Sequence, residues 1–454
     1  MGELFGTDGI RGHANRYPIT AEMALRVGTA AAVYFGRQNR PGRPKVVIGK
    51  DTRLSGDMIE FALVSGLCSL GADVILAGVL PTPGVAFLTS YLEADAGIVV
   101  SASHNPFYDN GIKFFNNFGY KLSDKIENEI EQLILETDQL SADLADKDIG
   151  HVLKLTDTGR LYRDFLVQTF PASTRSKANR LKIAIDCANG ATSVVAPGLF
   201  RKLGIHVIDL ATKPDGININ ANCGSQHPEK LAQTVLNAGC DTGFAFDGDG
   251  DRLIAVDESG TILSGDQLIA IFAQELQANN KLLNQTVVTT VMSNMGLGKA
   301  LADMQIQHLK SAVGDRYVMQ EMVAAEAVLG GEDSGHIIFR NLHTTGDGLL
   351  AALQLVHILA SHKKKLSQLA AVMNIFPQTL QNVDVTAKPS IAQIPGLAAA
   401  IRAIEKKLGS QGRVLIRYSG TQPMCRVMVE AATEADANKY AEQLSEIIRQ
   451  EIGT

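Results

Sequence analysis

Gly97-Ile98-Val99-Val100-Ser101-Ala102-Ser103-His104-Asn105-Pro106 decides how the rest of this chain is read. An apolar run stops at small polar residues and then at a proline. That is the pattern of a buried strand emptying into a tight loop at its C-terminal end, where α/β sheets place their ligands. Ser103 stands there among small neighbours, so its hydroxyl is able to face a cleft. The same residues also suit a turn in which serine bonds its own backbone, and the flanking segments have to separate the two.

Upstream, Thr20 caps a helix reaching about residue 35. A strand at 45–49 ends in Lys50-Asp51-Thr52-Arg53, a helix follows over 56–70, and a strand over 73–77. Pro81-Thr82-Pro83 then turns into another helix. This β-α-β-α-β order predicts a mostly parallel sheet with strand ends meeting on one edge. Lys113 follows the serine loop closely, and the acidic segment 124–136 reads as a solvated helix face. The opening Gly6-Thr7-Asp8-Gly9-Ile10-Arg11-Gly12 follows no strand and lacks the dinucleotide spacing. It suits a glycine-rich loop presenting Arg11 to an anion, and equally a flexible N-terminal turn.

After a boundary near 146–158 the plan restarts: strands at 181–186 and 205–210, a helix after Pro228, and a strand at 242–246. That strand runs into Asp247-Gly248-Asp249-Gly250-Asp251-Arg252. A third restart near Gly260 carries the loops Val313-Gly314-Asp315-Arg316-Tyr317 and Gly331-Glu332-Asp333-Ser334-Gly335-His336, then a long helix over 347–361. The final segment differs in layout. It holds Arg417-Tyr418-Ser419-Gly420-Thr421-Gln422-Pro423 between strands and ends in a helix with a one-faced apolar stripe, Tyr440, Leu444, Ile447 and Ile448.

Composition excludes several classes. Lys plus Arg total 42 against 48 Asp plus Glu, a net charge of −6, so no basic surplus points to nucleic acid or a membrane surface. Five scattered cysteines suit neither a zinc site nor a disulfide framework and fit a reducing cytoplasm. No signal peptide or bilayer-spanning run is read, and Gly298-Lys299 is followed by Ala300, so no Walker loop forms.

Three carboxylates spaced by glycines repel one another unless a cation neutralises them, and hard oxygen donors favour Mg²⁺. The sixth position from Asp247 is Arg252, where an EF-hand loop needs glycine. A phosphorylated Ser103, carrying ~−2 charge, would fill a position such an ion leaves open. Arg417, Ser419, Gly420, Thr421 and Arg426 look like a phosphate clamp, or else a hairpin loop with incidental cations, and Glu332 and Ser334 suit sugar hydroxyls or a plain turn.

With these motifs in place (FGTDGIRG, SASHNP, DGDGDR, GEDSGH and RYSGTQP, in that order) the chain resembles the α-D-phosphohexomutase superfamily from end to end. The resemblance implies three similar mixed-sheet α/β domains plus a smaller, different α+β C-terminal domain around a central cleft. Boundaries follow at 1–152 for the phosphoserine loop, 153–258 for the metal loop, 259–368 for the sugar loop and 369–454 for the phosphate loop. It implies Ser103 as the phosphoserine, with Asp247, Asp249 and Asp251 holding Mg²⁺ alongside it. Glu332, Ser334 and His336 would bind sugar, and Arg417, Ser419, Gly420, Thr421 and Arg426 the phosphate that does not react. Lys113, Arg11, His104 and Arg252 are the further catalytic candidates.

The implied reaction converts glucosamine 6-phosphate to glucosamine 1-phosphate through a 1,6-bisphosphate, in amino-sugar metabolism leading to UDP-N-acetylglucosamine. The partner is a small phosphosugar, and a homodimer is compatible with the reading. Glucose or mannose phosphates, a non-catalytic phosphosugar-binding protein, and a phosphatase with an aspartate nucleophile stay open as alternatives. Asp333, Tyr418 and Gln422 depart from the family pattern, which more often has an amide, a proline and a glutamate.

Overall fold

The computed structural model describes residues 4–6, 8–37, 42–136, 148–419 and 423–453. It divides into two compact units: Met1–Val291 with Ile306–Ala371, and Met292–Gln305 with Val372–Thr454.

In the larger unit the first sheet is built from β1 (Phe5–Gly6), β2 (Gly9–His13), β3 (Lys45–Lys50), β4 (Asp73–Val79), β5 (Ala96–Val100), β6 (Asp109–Asn116) and β7 (Val152–Lys154). Its helices are α1 (Ala21–Gly36), α2 (Gly56–Ser69), α3 (Thr82–Tyr91) and α4 (Asp124–Leu135). The strand order is β1-β2-β6-β5-β3-β4-β7. The expected parallel part is there, with β3 paired to β4 and β5. The other half is antiparallel, because β6 turns back along β5 and β2 pairs with β6.

Two expectations are corrected here. The N-terminal motif is a hairpin whose second strand carries Arg11, not a loop. Glycine at position 9 has φ +80, and a Cβ there would lie 2.3 Å from the Ile112 carbonyl, so glycine is what lets the hairpin dock on β6. The acidic helix α4 is not merely a solvated face. Glu127 and Glu131 are buried, and Glu131 accepts the Leu4 and Phe5 N–H groups at 3.0 Å.

The plan repeats with α5 (Thr158–Thr169), α6 (Ala172–Ala178), β8 (Lys182–Asp186), α7 (Ala196–Lys202), β9 (His206–Leu210), α8 (Glu229–Ala238), β10 (Thr242–Phe246), β11 (Leu253–Asp257) and β12 (Ile262–Leu263). This second sheet runs β12-β11-β10-β8-β9, and β10 and β11 form the hairpin around the aspartates. The third sheet follows α9 (Gly265–Ala278). In chain order come β13 (Thr286–Thr290), α10 (Met295–Asp303), β14 (Gln307–Ser311), α11 (Asp315–Ala324), β15 (Leu329–Gly331), β16 (Ile337–Phe339), α12 (Gly348–His362) and α13 (Leu366–Ala370). Its order is β14-β13-β15-β16. Each sheet is mixed, and strands such as β5 and β10 are buried along their whole length, which is why they read as unbroken apolar runs.

The smaller unit, taken by itself, holds α10, β17 (Gln378–Asp384), α14 (Leu397–Leu408), β18 (Arg413–Tyr418), β19 (Met424–Glu430) and α15 (Glu434–Ile452). Its sheet is antiparallel throughout, β17-β19-β18. The apolar stripe of α15 packs into its core through Leu444 and Ile448, with Tyr440 and Ile447 against it, as the one-faced helical spacing predicts. No helix among the described residues is long and apolar enough to cross a membrane.

Candidate active site

The end of β5 delivers Ser103 into a buried loop. Its hydroxyl donates to Asp247 Oδ2 at 2.5 Å, across 144 residues of sequence. The serine and the acidic loop therefore meet. His104 is adjacent but weakly engaged, its Nδ1 3.5 Å from Ser103 Oγ. Burial, with Arg252 and Arg11 nearby, lowers its pKa to about 4, so the imidazole is neutral at neutral pH.

One carboxylate oxygen from each of Asp247, Asp249 and Asp251 falls within 4.8 Å of the others, and all three residues are buried. Burial first, then the Asp251 and Asp249 charges, push the Asp247 carboxyl well above the usual carboxylate range. Among the described residues Asp249 Oδ1 and Asp251 Oδ1 are buried without a hydrogen-bond partner. Three hard oxygen donors, a surplus of negative charge and two unmade bonds fit a divalent cation such as Mg²⁺.

The other side of the triplet is met by protein cations. Lys113, on β6, places Nζ 2.8 Å from Asp249 and 3.1 Å from Asp8. Burial alone would discharge it; the Asp249 and Asp8 carboxylates more than offset that and raise its pKa. Lys121 joins Asp8 to Asp315, the latter at 2.5 Å. His336 lies between Asp315 and Asp251, 3.4 Å from each. Burial opposes its charge, but Asp251 and then Asp315 raise it. The sequence Asp8, Lys113, Asp249, Asp251, His336, Asp315, Lys121 and back to Asp8 thus alternates around a closed circuit, broken in sign only at the paired aspartates.

Arg11 pairs with Asp8. Arg252 lies beside Asp251, 3.9 Å away, and its N–H donates to Asp247 Oδ1 at 3.1 Å. Leu253 N–H reaches the Gly335 carbonyl at 2.9 Å, which sets the GEDSGH loop against the aspartate loop. Glu332 is fixed by the Gly314 N–H at 3.0 Å, and Ser334 Oγ is buried with no partner among the described residues. Asp333 is exposed. A cavity of about 300 Å³ is walled by Lys121, Asp315, Arg316, His336 and Thr345.

In the smaller unit Arg417 on β18 stands directly opposite Arg426 on β19. Like charges paired across strands destabilise a sheet unless something neutralises them. Burial and then the Arg426 charge lower the Arg417 pKa, and the Nε atoms of both are buried and unpartnered among the described residues. Ser419 is buried at the end of β18 and its carbonyl accepts from Lys388 Nζ at 2.7 Å. Gly420 and Thr421 lie outside the described residues.

Sequence reading missed Asp8, Thr82, Lys121 and Asp315. Thr82 Oγ1 donates to Asp249 Oδ2 at 2.7 Å. Asp8, Thr82 and Asp315 each stood in a conspicuous glycine- or proline-marked turn, which was their available signal; Lys121 had none.

Four family models match in order: phosphoglucomutase/phosphomannomutase α/β/α domain I over residues 2–141, domain II over 160–260, domain III over 264–376 and the C-terminal domain over 380–447. The chain belongs to this family, within the α-D-phosphohexomutase superfamily. Among its relatives, the phosphoglucosamine mutase of Syntrophus aciditrophicus is 54% identical over 455 residues, covering 100% of both chains. A phosphoglucomutase/phosphomannomutase family protein from Burkholderia thailandensis superposes with TM-score 0.81 at 25% identity, over 99% of each chain. The N-acetylphosphoglucosamine mutase of Aspergillus fumigatus, solved with GlcNAc-6P and magnesium, shares the fold at TM-score 0.66 and 16% identity, over 99% and 96%.

Proposed function

We propose that this chain interconverts glucosamine 6-phosphate and glucosamine 1-phosphate through a phosphoserine at Ser103 and a bound glucosamine 1,6-bisphosphate. The observation that carries it is the Ser103 hydroxyl aimed at 2.5 Å into the acidic triplet, in a chain 54% identical to a phosphoglucosamine mutase. In the first half-reaction the P–Oγ bond of phosphoserine breaks and a bond from phosphorus to sugar O1 forms, the O1 proton passing to a base and the departing Oγ taking a proton to become the hydroxyl. After the sugar turns over, Ser103 Oγ gives up that proton to a base and bonds to phosphorus as the P–O6 bond breaks, and O6 takes a proton.

Asp247, Asp249 and Asp251 with phosphorylated Ser103 would hold Mg²⁺, whose charge, when bound, offsets that of the transferring group. Lys113, Arg11 and Arg252 supply fixed positive charge on the flanks of the triplet, so charge developing on the phosphoryl oxygens meets preorganised donors. His104, neutral at neutral pH, is the candidate able to accept a proton. Glu332, Ser334 and His336 engage sugar hydroxyls. The facing Arg417 and Arg426, with Ser419, Gly420 and Thr421, hold whichever phosphate is not transferring, because a cationic pair with unmade N–H bonds is relieved by a dianion. The five free cysteines suit a reducing cytoplasm.

Turnover of glucosamine, glucose and mannose 6-phosphates, each with a trace of its 1,6-bisphosphate, tests the reading. Glucosamine 6-phosphate is expected to give the highest kcat/KM; faster turnover of glucose or mannose 6-phosphate would overturn the substrate assignment.

A further inference from the structure

We propose that Asn220, carried on the loop before α8, is a positioning residue for the Ser103 nucleophile. Its side-chain amide sets the register between the serine loop and the loop that carries the aspartates. The inference rests on Ser103 being the phosphoryl carrier.

Ser103 has φ +52, in the left-handed region that residues with a Cβ avoid on steric grounds. Such a conformation persists only where the surroundings over-determine it. Here they do so from both sides. The Ser103 N–H donates to Ser101 Oγ at 3.0 Å, and that hydroxyl donates to Asp51 at 2.6 Å. The Ser103 carbonyl accepts two bonds, from Arg53 Nη2 and from Asn220 Nδ2, both 2.9 Å. The same two nitrogens bond the Asn105 carbonyl, at 2.8 and 2.9 Å.

The two clamps differ in origin. Arg53 belongs to the same sheet as the serine and is locked by Asp51 at 2.9 Å. Asn220 comes from the part of the chain that builds the second sheet, which also presents the aspartates. Asn220 is itself left-handed, at φ 60, and its N–H bonds the carbonyl of Ala188, another left-handed residue at φ 54. The aspartate loop closes on this clamp: a Cβ on Gly248 would lie 2.6 Å from the Ser103 carbonyl oxygen and 2.8 Å from Asn220 Nδ2. One short amide therefore touches the nucleophile's backbone and the metal-binding loop at once, with its Nδ2 engaged by two serine-loop carbonyls.

Other contacts join the same two sheets: Thr52 Oγ1 to the Asn189 carbonyl at 2.6 Å, Leu54 N–H to the Gly216 carbonyl at 2.9 Å, and Thr82 to Asp249. Removing the Asn220 amide leaves these in place. What it frees is the serine loop's placement over the aspartates, where a ~1 Å error costs on the order of 100-fold in rate.

Two variants of the full chain, assayed with Mg²⁺, glucosamine 6-phosphate and a trace of 1,6-bisphosphate, test this. Asn220→Gly keeps the left-handed backbone and deletes the amide; Asn220→Asp keeps the shape and turns the donor into an acceptor facing two carbonyls. Both are expected to lose on the order of 100-fold in kcat, with KM within about twofold and Tm within about 4 °C. Either variant retaining kcat within about threefold of the parent, or losing kcat only in step with KM and Tm, would overturn the inference. If Asn220→Gly fails to fold, Asn220→Asp carries the same comparison. A parent protein that turns over sugar phosphate with no phosphate on Ser103 would instead overturn the phosphoserine reading, and this inference with it.

Discussion

The aspartate loop and the arginine hairpin are opposite answers to one problem. Around Asp247, Asp249 and Asp251 the chain gathers excess negative charge and then surrounds it with Lys113, Lys121, His336 and Arg252. At Arg417 and Arg426 it sets two cations face to face across a strand pair, and their Nε atoms carry no partner among the described residues. The first region is organised in detail by protein contacts and needs a cation to complete it. The second is left with unmade bonds and needs an anion. A site that transfers phosphate calls for the first, because the reacting group has to be held in one geometry. A site that only grips phosphate, and has to accept either end of a sugar, tolerates the second.

The largest effect expected from testing that contrast is at Ser103. Ser103→Ala is predicted to lower interconversion by at least ~10⁴-fold with little change in the affinity for sugar phosphate, since only the carrier hydroxyl is lost. Steady-state kinetics and a direct binding titration separate the two. Next, Asp249→Asn should weaken Mg²⁺ binding at least ~100-fold by calorimetry, beyond what outer-shell changes usually cost. Unchanged metal affinity would show that the acidic loop is completed by Lys113 and its neighbours alone.

A further acid sharpens the contrast because no cation among the described residues neutralises it. Asp347 caps α12, accepts the Tyr162 hydroxyl at 2.6 Å, and is raised by burial to about 6. Its folded pKa lies above the unfolded value, so the protonated form favours folding. That contribution is full below about pH 4 and is lost as pH rises through about 6. The cost of ionising it is about 3 kcal/mol, from 1.36 kcal/mol per pH unit. Denaturation midpoints between pH 4.5 and 7 should show this slope, and Asp347→Asn, which keeps a capping oxygen, should flatten it. The smallest effect has two signs. Arg417→Gln should raise KM by roughly 10–100-fold, as expected for one charged hydrogen-bonding group. It should also stabilise the phosphate-free fold by up to ~0.5 kcal/mol by removing a like-charge pair.

Most of the scaffold was legible because buried strands and amphipathic helices leave periodic marks. The strand before Ser103, the hairpin around the aspartates and the stripe on α15 all stand where their patterns put them. What stayed hidden was tertiary. Lys113 was a candidate from the sequence, but the strand that carries it was not read, because β6 is buried on both faces and shows no alternation. Glycines made the FGTDGIRG stretch look like a loop, whereas one of them serves to let strands approach closely. Glu127 and Glu131 looked solvated because their partners, Arg316 and the Leu4 and Phe5 amides, lie more than a hundred residues away. Lys121 carries no local pattern at all, and the glycine beside Asp315 marks a turn without naming its partners; only folding brings the two to Asp8 and His336.

The central claim is that the Ser103 hydroxyl carries the phosphoryl group. The most direct measurement is to incubate the purified chain with Mg²⁺ and glucosamine 1,6-bisphosphate, remove the sugar, and map the phosphate on the protein. A single phosphate is expected on Ser103, which glucosamine 1-phosphate or 6-phosphate then removes to regenerate the bisphosphate. Phosphate on any other residue of an active protein, with Ser103 unmodified, would contradict it.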